Sequence, residues 1–453
     1  MNRILTRKDA YFLVVGNIIG IGIFTTTGYV ANYVPTAGIL LFVWLLGGTI
    51  AFFGAVTYAE LATQFPRPGG DYHFLSRAFH PLYGFLFGWA AFVVTYTGSI
   101  ATLSVGFAHY FLNLFPANWR MEMLRWHVLG IHLSALQIIA IAVAGIFTYF
   151  NANGLRPGAR WQMFLTVLSV LVLMGFVVLG FTSPARQWNH LTPLFPNNWS
   201  FRWLGGIATA LVGVYFTYSG WTTVAYVAGE IREPQRSIPF AMITGLATVT
   251  GLYLLMNFVY LLALPVQEMR NVVDIGFRVL QRLQGERWSV LFSVMIMLAV
   301  LSTLNATILS GARIYYAMAR DGLFFRRAGM LHPQTGVPRT ALWYQYLWSV
   351  VLILSGSFNQ LLTYTVFVMV GFAASSGISL LVFRFKNVHS GEKYQAWGYP
   401  WTTLIYIALM GFILLSTLLN RPEESLLGLL AVAVGIPVYF VFNKKAENKK
   451  PRN

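Results

Sequence analysis

Cysteine is absent from the 453 residues, so the chain can build neither a disulfide framework nor a thiolate metal site. Charge is scarce too: Asp, Glu, Lys and Arg together make up 10% of the residues, against about 25% in a water-soluble domain. So little polar surface cannot cover a chain of this size in water, which excludes an ordinary soluble protein. Acid is the scarcest charge, with 14 Asp plus Glu against 31 Lys plus Arg. Enzyme signatures are missing as well. The 8 histidines show no HExxH or paired ligand spacing, and several (His73, His80, His190, His332, His389) sit in loops. No P-loop and no GxSxG nucleophile elbow occurs. The expectation is a non-enzyme with no metal and no cofactor.

What is abundant is apolar: 57% of the residues are hydrophobic and 16% aromatic, enough for roughly twelve membrane crossings at about 20 residues each. Apolar blocks bounded by charge, Pro or Asn predict spans over 10–34, 39–65, 82–114, 129–150, 161–181 and 204–228, then 238–263, 288–318, 340–355, 361–383, 401–419 and 426–442. These form one all-α polytopic domain over 1–453, with a tail at 443–453. Met1 to Asp9 carries Arg3, Arg7 and Lys8 with no cleavage site after it, so the first span reads as its own signal anchor.

The net charge of +17 would suggest nucleic acid in a soluble protein. Here the positive-inside rule explains it, and no nucleic-acid partner is expected. Alternating the loops from an inner N-terminus puts 22 of the 31 basic residues inside. That bias predicts two cytoplasmic termini and a multi-pass protein of the plasma (inner) membrane.

The first and sixth spans are both interrupted by glycine, at Gly16-Asn17-Ile18-Ile19-Gly20-Ile21-Gly22-Ile23-Phe24 and Gly213-Val214-Tyr215-Phe216-Thr217-Tyr218-Ser219-Gly220-Trp221. Either alone could be close helix packing, since Gly16 and Gly20 form GxxxG. As a matched pair five spans apart they predict broken helices in inverted repeats, about 10–181 and 204–383, with a binding site between them. A break in the bilayer persists only where it lines a cavity or meets a ligand. Freed amides at the first break suit a carboxylate, and freed carbonyls at the second suit an ammonium group, which together describe the head of a free amino acid.

The first-span motif, Tyr58-Ala59-Glu60-Leu61, Pro66-Arg67-Pro68-Gly69-Gly70-Asp71-Tyr72, Phe216-Thr217-Tyr218-Ser219-Gly220-Trp221, Glu230-Ile231-Arg232-Glu233-Pro234-Gln235-Arg236-Ser237-Ile238-Pro239 and Ala319-Arg320-Asp321-Gly322-Leu323-Phe324 resemble the amino acid–polyamine–organocation superfamily, in particular its L-type amino acid transporter branch. The resemblance runs in order through spans one to eight. It implies a leucine-transporter-type fold of five plus five inverted helices with two peripheral ones (about 401–442), and a bacterial secondary transporter. It also implies that amides around Ile19, Gly20, Gly22 and Ile23 hold the substrate carboxylate, that carbonyls at Phe216, Thr217 and Ser219 hold the amine with Tyr218 in the same segment, and that Phe216 is the external gate. Ile21 departs from the small Ser or Ala usual there, so either a narrower pocket or the loss of a hydroxyl contact is expected.

Arg156 falls where many relatives have a lysine opening the fifth span. It reads either as a fixed cation replacing sodium or as a plain positive-inside residue. Glu60 and Glu230, the intramembrane acids, are expected in inner-gate salt bridges with Arg67, Arg232 or Arg320. The segment 71–79 is expected to lie amphipathically along the inner interface.

No acid is expected near either break, which favours neutral amino acids over cationic ones. The reading is a sodium-independent exchanger or facilitator working by alternating access. Proton-coupled transport, a cationic amino acid or polyamine permease, and an amino acid sensor stand as alternatives. Eukaryotic relatives attach to a heavy chain through a cysteine, and no such disulfide is possible here.

Overall fold

A computed structural model describes residues 3, 5–67, 69–115, 126–128, 131–154, 159–196, 202–355, 358–388 and 394–447. Each of the twelve predicted apolar blocks contains a helix, the fourth starting only at Ala135 because Ile131–Leu133 is a strand. The first is split into Arg7–Ile18 and Gly22–Val30, and the second to fifth are Ala37–Gln64, Pro81–Leu112, Ala135–Ala152 and Ala159–Thr182. The sixth begins as Arg202–Tyr218 and continues through the short turns Ser219–Thr222, Thr223–Tyr226 and Ala228–Glu230. Then come Pro234–Ala263, Glu286–Arg320, Arg339–Ser355, Phe358–Phe385 and Trp401–Asn420, with the last block bent between Pro422–Ala433 and Gly435–Glu447.

Among the described residues, 9 helices are long and apolar enough to cross a bilayer, and 10 when the first bent pair is counted. The other two blocks open with 17-residue helices, one residue short of that length. A small antiparallel hairpin, Trp126–Val128 against Ile131–Leu133, lies between the third and fourth spans.

Local chemistry sets the helix ends. The first helix starts at a capping box in which the Thr6 hydroxyl accepts from the Asp9 amide at 3.3 Å and the Asp9 carboxylate accepts from the Thr6 amide at 2.8 Å. Proline opens the helices at Pro81, Pro234 and Pro422, where its missing N–H costs nothing. The packing repeats between the halves. The fifth span rests on the first, seventh and eighth, and the tenth rests on the sixth, second and third. That is the same arrangement with each span exchanged for the one five places away, the signature of an inverted five-plus-five repeat.

Leu5 forms a parallel bridge to Ile231 at the end of the sixth span. The last helix meets the start of the third span through Tyr439 and Phe85, so both chain ends lie on one face, called here the terminal face.

Candidate functional site

Both breaks border one central cavity. At the first, the helix ends at Ile18 and resumes at Gly22 with a bend of 41°. Four side chains approach carbonyls at this interruption and in the first turn of the helix that follows it. The Thr303 hydroxyl lies 3.2 Å from the Gly16 carbonyl and 3.0 Å from that of Ile19, Tyr253 donates to Ile18 at 2.7 Å, Tyr260 to Ile23 at 3.1 Å and Tyr110 to Phe24 at 2.7 Å. The amides of Gly20, Ile21, Gly22 and Ile23 have no acceptor among the described residues, and Gly20, Ile21 and Gly22 line the cavity. A break whose Gly16, Ile18 and Ile19 carbonyls are met by side chains and whose amides are open, at the start of a helix, can receive an anion.

Space as well as hydrogen bonding requires the glycines. A Cβ on Gly22 would lie 2.6 Å from Thr217 Oγ1, and one on Gly220 would lie 2.3 Å from the Asn17 carbonyl. The two broken spans therefore touch backbone to backbone.

At the second break, Phe216, Thr217 and Ser219 line the cavity. The Phe216 carbonyl already accepts from the Ser219 hydroxyl at 2.8 Å, which leaves it one further lone pair for an ammonium group. Phe216 is only 8% exposed. Three expected site residues face elsewhere. Ile19 and Ile23 are fully buried and contribute the carbonyls just described. Tyr218 points between Trp44 and Tyr253 and donates to the Trp44 carbonyl at 3.3 Å, on the side of the second and seventh spans. Ile21 lines the cavity, but its side chain fits against Gly106, where a Cβ would come within 2.5 Å of it. The branched residue is accommodated by a glycine on the third span, a pairing that one-dimensional reading cannot reveal. Arg156 lies outside the described residues.

Much of the lining comes from spans carrying no motif. Thr95, Tyr96 and Ser99 project from the third span, Thr303 and Thr307 from the eighth, and Met369, Phe372 and Ala373 from the tenth. The third span widens into a π turn at Ala91–Thr95. Its loosened carbonyls are met by Tyr315 on Ala91 at 3.0 Å, Thr97 on Phe92 at 2.7 Å, Trp348 on Val93 at 2.7 Å and Thr365 on Val94 at 3.4 Å. Such a turn marks functional helices, and here it sets Tyr96 into the site.

The acids are placed differently from expectation. Glu60 pairs with Arg384, Nε at 2.7 Å, and also accepts from the Ala396 amide at 2.6 Å. Glu230 pairs with Arg313 at 3.1 Å. Neither uses Arg67, Arg232 or Arg320, because the tenth and eighth spans, distant in sequence, pass closer.

The expectation of no acid near the breaks is overturned by Asp71, which lines the cavity. Gly69 and Gly70, at φ +111° and +46°, make a turn that side-chain-bearing residues rarely adopt. That turn swings the helix Asp71–Ala78 under the bundle, with Asp71, Tyr72, Phe74 and Leu75 buried. The segment is thus a floor to the bundle, its apolar side turned inward. The Asp71 carboxylate accepts from Tyr226 at 2.5 Å and, through its other oxygen, from Ser376. Burial pushes its carboxyl above the ordinary range, opposed by the hydroxyls of Ser376, Tyr226 and Tyr58, which favour the charged form. The Gly-Gly-Asp sequence was the visible signal, but a polar residue opening a short amphipathic helix looks the same in sequence whether its helix faces lipid or protein.

Two facing helix breaks around a hydroxyl-lined cavity, within inverted repeats of membrane helices, define a membrane carrier rather than an enzyme. The chain belongs to the amino acid permease family, whose pattern it matches over residues 5–441. It is 27% identical over 441 residues to the Asc-type amino acid transporter 1 of Mus musculus, covering 96% of this chain and 80% of that protein. It is 28% identical over 437 residues to the large neutral amino acids transporter small subunit 2 of Mus musculus, covering 95% and 79%. With the serine/threonine exchanger SteT of Bacillus subtilis (strain 168) it shares 28% over 442 residues, 96% of both chains.

Proposed function

We propose that this permease exchanges neutral L-amino acids across the plasma membrane by alternating access, without sodium and without a disulfide-linked partner. The observation that carries the reading is the asymmetry of the two breaks: open amides at Gly20 to Ile23 for the carboxylate, and carbonyls at Phe216 to Ser219 for the ammonium. Phe216 serves as the lid, and hydroxyls from four spans provide a neutral surround for the side chain. The one acid among the described lining residues, Asp71, has each oxygen engaged by a hydroxyl, Tyr226 on one and Ser376 on the other, so it serves a network within the protein rather than standing open to a substrate. Thr303 ties the first span to the eighth with a hydroxyl, so that junction closes without a bound cation, and Arg156 adds a charge that cannot titrate.

The neutral Asc-type and large-neutral relatives, and the serine/threonine exchanger, support the same reading. The terminal face is cytoplasmic on the positive-inside argument. A second reading, proton symport, is favoured by one observation, the raised Asp71 carboxyl beside the cavity.

Uptake of labelled leucine and alanine into proteoliposomes tests both. Stimulation by unlabelled amino acid inside, unaffected by a pH gradient or by replacing sodium with choline, is the expected result. Uptake that appears only under an inward proton gradient would establish the symport reading instead.

A further inference from the structure

The terminal-face half of the sixth span is a thin wall. Thr223 lines the central cavity on one side and, on the other, a second cavity bordered by Leu13, Asn305, Glu230 and Arg313 that leads toward the terminal face. This half is no regular helix: it runs through two short 3-10 turns and one turn of α-helix, so its own backbone bonds hold it weakly. Something outside it must fix its position. On the second-cavity side the Glu230–Arg313 pair does so. On the central side the tie is Tyr226, whose hydroxyl meets Asp71 at 2.5 Å.

Asp71 in turn accepts from Ser376 of the tenth span, and its helix is pinned from below where the Tyr72 hydroxyl donates to Asp321 at 2.6 Å. A Cβ on Gly70 would lie 2.7 Å from the Tyr226 ring, so the turn before Asp71 is shaped to that ring. Two spans far apart in sequence, the sixth and the tenth, therefore converge on one buried carboxylate.

We propose that Asp71 is a positioning residue for transport: by accepting from Tyr226 and Ser376 together, it holds the Thr223–Tyr226 segment against the tenth span and keeps the wall between the central cavity and the terminal-face cavity shut. Releasing either hydroxyl frees the segment to swing, joining the two cavities. Asp71 does not touch the substrate head, which the two breaks hold. The transporter reading underlies only the flux half of this inference, because the state of the wall can be read without substrate.

The natural lack of cysteine makes the test direct. A single reporter thiol, Ser99→Cys, placed in the central cavity, is challenged with a membrane-impermeant thiol reagent on the terminal face. Tyr226→Phe, Ser376→Ala and Asp71→Asn are added one at a time; the first is isosteric, so folding is preserved where Asp71→Asn is not tolerated. The expected result is a labelling rate raised about tenfold, the shift that loss of one hydrogen bond to a charged group carries. Combining Tyr226→Phe with Asp71→Asn should add little to either alone. In the native background the same changes should alter the maximal exchange rate and leave substrate affinity within about twofold. Unchanged labelling in Tyr226→Phe would overturn the proposal, and so would a loss of substrate affinity in the three variants beyond about tenfold, which would place Asp71 in the substrate contact itself. Failure of amino acid flux in every background would instead count against the transport reading and leave the labelling result to stand.

Discussion

Gly22 shows how much one residue can decide. Its amide has no acceptor among the described residues, and the space a side chain would need is taken by Thr217 Oγ1, 2.6 Å from the position of a Cβ. Gly22→Leu must push the two broken spans apart at the proposed binding head. Substrate binding should fall at least about a hundredfold, because overpacking of a tight contact costs on the order of 1–3 kcal/mol and the amide geometry is lost with it. Equilibrium binding of labelled leucine checks this, with a monodisperse size-exclusion profile showing that the variant is folded. Unchanged affinity would remove the first span from the site. Gly22 could be read from sequence because its role is backbone exposure, which the glycine itself announces. Ile21 could not: its effect depends on Gly106, a residue of the third span that carries no motif of its own.

Between elements, two ion pairs of similar chemistry do different work. Glu60, with a side chain 1% exposed, joins the second span to Arg384 of the tenth and to the Ala396 amide. Glu60→Gln leaves a guanidinium only 17% exposed without its counter-charge, a change that costs about 3–5 kcal/mol in buried pairs. Glu230 and Arg313, 16% and 21% exposed, border the second cavity and keep some access to water, so Glu230→Gln should cost less stability. Thermal unfolding in detergent should separate the two, with the larger fall in midpoint for Glu60→Gln. Glu230→Gln should show its effect in the exchange rate. Equal destabilisation by both would mean that the Glu230 pair is a structural tie like the other. The sequence picked out both acids from their depth in apolar spans, yet it could not supply their partners, because Arg384 and Arg313 sit 324 and 83 positions away.

Across the whole molecule, the parallel bridge between Leu5 and Ile231 and the packing of Tyr439 on Phe85 put both chain ends on one face. In the orientation proposed from the bias of basic residues, that face is cytoplasmic. Single cysteines introduced at Arg3 and at Asn443 should therefore react with an impermeant reagent only after cells are permeabilised, while a cysteine at Gln187, in the loop after the fifth span, should react in intact cells. Labelling of all three in intact cells would refute the orientation. The absence of native thiols makes the readout unambiguous.

Sequence by itself determined the membrane class, the order of the apolar blocks and the positions of both breaks. Each of these rests on local properties: apolar length, glycine placement and the backbone's need to satisfy its polar groups. Tertiary structure alone decided which neighbours those residues meet. It turned Tyr218 away from the cavity toward Trp44, seated Ile21 on Gly106, chose Arg384 and Arg313 as the counter-ions and brought Asp71 beneath the site. The physical reason is common to all four. In a bundle of long helices the nearest neighbour is set by how whole helices cross, and a crossing of two spans leaves no local mark on either one.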